Sequence, residues 1–211
     1  MSNTTTSGWR RWAGIALGVV AYFSSQVLAF HFPDSFGLVA AVWPAAGVAL
    51  ASLLLISRRD WPVLLGCLFV AGLAANLTTD RPAVASVGFM VANICETAAA
   101  AWLLTRWCGE IIRFARMRQV LVLIGAATLI NAATALIGAG SARLALGAQF
   151  WTFYRTWWVA DGLGMLLVTP LIVIWARSWG KLGSKRRRRI IEAAVLFVLG
   201  STAAWGIFGA R

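Results

Sequence analysis

Histidine occurs once in this chain, at His31, and the carboxylates number only seven. One imidazole excludes a multi-histidine metal centre and leaves at most a single axial ligand to a haem or pigment. More simply, His31 reads as a polar cap after an apolar run, beside Pro33 and Asp34. The three cysteines, Cys67, Cys95 and Cys108, match no zinc-ligand spacing and offer no outward pair for a disulfide, so they read as small apolar residues. No Ser–His–Asp or Cys–His set suggests catalysis, and nothing calls for a cofactor. Also missing are a low-complexity tract, a convincing internal repeat and any polar stretch long enough to hide a water-soluble domain.

Long apolar runs fill the chain instead. Seven are legible: Trp12–Phe30, Gly37–Ile56, Pro62–Leu77, Ala83–Leu104, Val120–Gly140, Trp157–Trp175 and Ile190–Phe208. Most approach the ~20 residues that a helix needs to cross ~30 Å of hydrocarbon. The expected fold is therefore all-α, a polytopic transmembrane bundle of seven spans, with residues 1–11 a cytoplasmic tail and 12–208 one membrane domain. The first run is too long for a cleavable signal peptide and lacks a small-residue cleavage site. Ser141–Thr156, which mixes aromatic and polar residues, is expected to form a separate amphipathic helix in the outer interface.

Charge orients the bundle. Fifteen of the nineteen basic residues fall in every second gap: Arg10 and Arg11; Arg58 and Arg59; Arg106, Arg113, Arg116 and Arg118; then Arg177, Lys181, Lys185 and Arg186–Arg189. The other gaps hold Arg81, Arg143, Arg155 and Arg211. Lys and Arg accumulate on the cytoplasmic side, so the N-terminus is placed inside and the gaps around His31, Asp80 and Gln149 outside. The net charge of +12 would suggest nucleic acid in a soluble protein. Here orientation and attraction to anionic lipid account for it, and no nucleic-acid partner is expected. Seven spans leave Arg211 outside, so a cytoplasmic output would need an eighth span, and the chain is expected to be a fragment or truncation of something longer.

Ionisable groups within a span are costly, so each is a candidate for function. Glu96 lies mid-span in the fourth run, three residues after Asn93 and on the same face. Without a Lys or Arg at matching depth, it is expected to keep its proton and donate a hydrogen bond. Asp161 lies about a turn into the sixth run and could meet Arg143 or Arg155 in a gating ion pair. Asn76, Asn93 and Asn131 read most simply as interhelical hydrogen-bond formers, and Glu192 as a surface ion-pair partner of the arginine tetrad. Pro44 is expected to break the second span and free a carbonyl. Gly162 and Gly164 would let another backbone approach Asp161. By depth, Trp43, Pro44, Asn76, Trp158 and Asp161 belong to the outer half of the bilayer, with Asn93 and Glu96 below. These seven are the candidate ligand-binding set: a cavity open to the outside, walled by Trp43 and Trp158 with Asp161 between, suited to a small amphipathic or cationic ligand.

Several ordered segments carry a resemblance. They are Trp43-Pro44-Ala45-Ala46-Gly47, Arg59-Asp60-Trp61-Pro62, Ala75-Asn76, Asn93 and Glu96 before Ala101-Trp102-Leu103-Leu104, and Trp157-Trp158-Val159-Ala160-Asp161-Gly162-Leu163-Gly164 with Pro170. This set, over about residues 10–208, resembles the first class of the membrane-associated sensor family MASE. Ala160 stands where that family often has glycine. The resemblance implies a non-catalytic bacterial inner-membrane sensory domain of about eight helices, placed before cytoplasmic kinase, cyclase or phosphodiesterase domains.

Three function classes stay open. The first is a sensory input domain that binds an unknown small ligand and relays to a cytoplasmic output domain. The second is an accessory subunit of a membrane complex, and the third a transporter or membrane enzyme, with Glu96 and Asp161 carrying protons or a cation. Enzyme is the weakest of these. The lipid bilayer is one partner, an output domain or membrane subunit another, and self-association is left open.

Overall fold

A computed structural model describes residues 5–30, 42–79 and 81–178. Among them every regular element is helical. α1 is Thr5–Phe30, α2 Pro44–Leu55, α3 Trp61–Leu77 and α4 Ala83–Cys108. One unbroken rod, Met117–Leu146, consists of α5 (Met117–Gly125), a π-helical turn (Ala126–Ile130) and α6 (Asn131–Leu146). α7 is Phe150–Ser178. The unit that contains the site ends at Ile174, inside α7.

Five of these helices are long and apolar enough to cross a membrane: those over Gly8–Phe30, Arg58–Leu77, Ala83–Cys108, Met117–Leu146 and Phe150–Ser178. Seven full spans are therefore not what the described residues show. The second expected span survives as α2, which at 12 residues rises only about 18 Å. Pro44 does not kink a longer helix. It sits in the first turn of α2, where its fixed φ suits helix entry and its missing N–H would have had no partner. The seventh run, the tetrad Arg186–Arg189 and Glu192 lie outside the described residues, as do His31, Asp34 and Asp80.

Pattern explains which helix is central. α2 reads PAAGVALASLLL, apolar all round, and nine of its residues are buried. A helix with no polar face suits either lipid or a protein interior, and the burial of those residues places this one in the interior. α1, α3 and α4 pack on it, and α4 also packs on α3, α5 and α6. The α2–α7 crossing depends on the absence of side chains. A Cβ on Gly47 would overlap the Gly164 carbonyl and lie 2.6 Å from Val168 Cβ, and one on Gly164 would overlap the Trp43 carbonyl. At that distance the Trp43 N–H donates to Ala160 O (2.9 Å), and Thr169 Oγ1 donates to Gly47 O (3.2 Å).

The expected interfacial helix over Ser141–Thr156 does not exist as a separate element. Ser141–Leu146 completes α6, and Phe150–Thr156 are the first two turns of α7. Gly147 explains the break: it ends α6 with φ +67, a left-handed conformation that only glycine adopts without strain. Gln149 Oε1 then accepts from the Thr152 N–H (2.6 Å) and starts α7.

The first three basic gaps gather at one end. Arg11 pairs with Asp60 at 2.7 Å, and Arg58 donates to Thr105, which brings the start of α1, the α2–α3 turn and the end of α4 together. Arg81, Arg143 and Gly147 mark the opposite end.

Candidate functional site

α4 and α7 each put a carboxyl into the apolar interior. Glu96 is 2% exposed and Asp161 3%. The two do not meet arginine there. Arg143 and Arg155 are exposed, and among the described residues the ion pair is Arg11–Asp60, so the expected gating pair of Asp161 is not formed. Instead the two carboxyls face each other. Two carboxylates facing each other in an apolar interior repel, and a proton held between them would relieve that. Thr134 Oγ1 on α6 donates to Glu96 Oε2 at 3.4 Å. Beside the pair, the Tyr22 hydroxyl of α1 faces Asn93 and Gln26.

Toward the end opposite the basic gaps, the interior opens into a small cavity with room for about one or two water molecules behind its mouth. Asp161 and Trp157 line it from α7, Asn93 and Phe89 from α4, and Gln26 from α1. Trp43, at the entry to α2, Asn76, near the end of α3, and Arg81 complete it. The aromatic side is a packed cluster: Phe89 lies 5.2 Å from Trp157 and 5.7 Å from Phe153, ring centre to ring centre. Arg81 covers that cluster. Its guanidinium stands 5.8 Å from the Phe89 ring and 4.7 Å from that of Phe30, and donates to Asn76 Oδ1 at 3.4 Å. Burial pulls the Arg81 pKa below its usual value, but guanidinium remains cationic at neutral pH.

Three buried polar atoms of lining residues lack a partner: Gln26 Nε2, Trp157 Nε1 and Asp161 Oδ2. Trp157 Nε1 points toward Asp161 but falls short of hydrogen-bond geometry. Buried polar groups are rarely left this way, and each unmet one costs about 1–3 kcal/mol. Three on one cavity mark a place where water or a ligand belongs.

Of the seven sequence candidates, Trp43, Asn76, Asn93 and Asp161 line this cavity, and Glu96 adjoins it through Asp161. Pro44 and Trp158 are not among its lining residues. Trp158 is 36% exposed, and its indole N–H donates to Thr128 O at 3.0 Å. Helix geometry gives the reason. At 100° per residue, position i−4 lies about 40° from Asp161 around the helix and i−3 about 60°, on the other side. Trp157 therefore shares the cavity with Asp161, while Trp158 turns toward the π-helical turn, where Asn131 Nδ2 donates to its carbonyl at 2.7 Å. Asn131 thus ties α6 to α7, the interhelical role its position suggested.

Sequence reasoning missed Gln26, Arg81, Phe89 and Trp157. An amide inside the first apolar run was a usable signal for Gln26, of the kind that singled out Asn76. Arg81 was counted for orientation only, and nothing in the sequence folds it back over Phe89.

Comparison with known proteins gives one result. A family model described as MASE1 matches residues 21–209. No curated protein and no solved structure matches.

Proposed function

The chain belongs to the MASE1 family of membrane-associated sensor domains, and from that premise we propose that its cavity is the stimulus-binding site of a bacterial inner-membrane receptor. In this reading the cavity opens to the outside, the basic end faces the cytoplasm, and the domain itself is not catalytic. A cytoplasmic output domain or a partner membrane subunit receives the signal.

The observation that supports this most directly is the set of unpartnered atoms, Gln26 Nε2, Trp157 Nε1 and Asp161 Oδ2, on one cavity. They come from two helices whose relative position a bound molecule would fix. A ligand shifts a two-state equilibrium only by its difference in affinity for the states. Here α7 is the element to move: Asp161 and Trp157 are on it, and it touches α2 through Gly47 and Gly164 and the π-helical turn through Trp158. Helical irregularities of that type concentrate at functional sites.

The test is output of the natural polypeptide in its own membrane, under conditions that switch the wild type. Asp161→Asn and Gln26→Leu, each checked for normal insertion, are expected to lock or desensitise the response. Unchanged switching in both variants would remove the cavity from the signalling path.

A further inference from the structure

Three buried atoms on the cavity need a partner, and their chemistry narrows what that partner is. Gln26 is 1% exposed and Trp157 7%, and Asp161 is as deeply buried, so the surrounding solvent does not satisfy them. Gln26 Nε2 and Trp157 Nε1 are donors, Asp161 Oδ2 is a carboxyl oxygen, and none of them has a partner in the protein. The bare backbone of α3 leaves the Gln26 amide its place: a Cβ on Gly72 would lie 3.0 Å from Nε2. The space that these side chains line holds about one or two water molecules.

Size and bonding together select the occupant. Voids that stay empty are apolar, and this one is lined by amides, a carboxyl, an indole N–H and a guanidinium. A metal ion needs several lone-pair ligands, and two of the three free groups are N–H donors. A simple anion would accept from both donors but would sit against the Asp161 oxygen. Water both accepts and donates.

From this we infer that the cavity holds a resident water that accepts from Gln26 Nε2 and Trp157 Nε1 and donates to Asp161 Oδ2, bridging α1 to α7. Three hydrogen bonds are what a buried water typically makes. Its remaining O–H is left for a second water toward the mouth. The amphipathic or cationic ligand that Trp43 and Asp161 alone would suggest does not fit this space as it stands. A stimulus molecule that enters here has to displace the water and widen the site. The water itself does not depend on what the domain senses.

Solid-state NMR of the full chain in lipid bilayers, with isotope-labelled tryptophan indoles, tests it. Trp157→Phe and Trp158→Phe assign the two signals that matter. Magnetisation transferred from water is expected to reach the Trp157 indole N–H and not that of Trp158, which donates to Thr128 O, although Trp158 is the more exposed residue. Gln26→Leu removes one of the three partners and is expected to abolish the transfer to Trp157. Arg143→Gln, exposed at the same end, should leave it intact. If Gln26→Leu inserts poorly, Gln26→Met takes its place, with the same expectation. No transfer to Trp157 in the wild type, or transfer undiminished in the Gln26 variant, would overturn the inference. Density larger than water between the three atoms in a high-resolution cryo-EM map would overturn it too. None of these readouts uses signalling output, so a dry cavity and a failed stimulus assay are separate results.

Discussion

Replacing Gly164 by alanine places one methyl group where α7 touches the entry to α2. The new Cβ would overlap the Trp43 carbonyl oxygen and lie 2.8 Å from its carbon. Carbon atoms rest at about 3.5–4.0 Å, so the helices must part by roughly 1 Å. Overpacking of this type costs about 1–3 kcal/mol. Parting also breaks the Trp43 N–H···Ala160 O bond, now 2.9 Å, for about another 1 kcal/mol. Alanine's better helix propensity returns at most about 1 kcal/mol, leaving a net loss of roughly 1–3 kcal/mol. Gly66→Ala is the control, because a Cβ there meets nothing within 4 Å. The same chemical change in α3 should be neutral or stabilise by up to about 1 kcal/mol. Tryptophan fluorescence during thermal unfolding in nanodiscs reads both. Gly47→Ala should repeat the Gly164 effect, and the double variant should cost less than the sum, because both substitutions open one contact. A Gly164→Ala protein as stable as Gly66→Ala would refute the close α2–α7 crossing, and with it the placement of Trp43 beside Asp161.

Trp157→Phe removes an indole N–H with no protein partner and should change stability by less than about 1 kcal/mol, whereas Trp158→Phe loses the bond to Thr128 O and should cost about 1 kcal/mol; unfolding midpoints compare them. Glu96→Gln keeps a donor toward Asp161 and should insert and unfold like wild type, while Glu96→Ala leaves Asp161 unsupported in the interior and should cost about 2–3 kcal/mol by the same measurement. Asp60→Ala leaves Arg11 without its 2.7 Å partner, so protease sensitivity near the start of α1 should rise, and Asp60→Glu should restore part of the protection. A reporter active only outside the cytoplasm should be active when fused after Gly147 and inactive after Arg118; the reverse would invert the bundle.

Composition and charge alone determined that this is a multi-pass helical membrane protein. The gaps with Arg11, Arg58 and Arg106 mark one end because hydrophobic length and basic residues are properties of the chain that no packing can alter. Polar residues inside apolar runs were legible for the same reason: Glu96 and Asp161 cost too much in a membrane to be incidental. What the sequence could not supply was direction around each helix. Whether Trp157 or Trp158 faces the site turns on some 100° of rotation per residue, which only the glycine contacts of Gly47 and Gly164 and the bond of Asn131 to Trp158 O establish. Likewise, an arginine beyond a span end can reach in several directions, so Arg81 became part of the site only once α3, α4 and α1 were packed around it. Two carboxyls 65 positions apart came to face each other for the same reason, since tertiary packing alone brings α4 and α7 together.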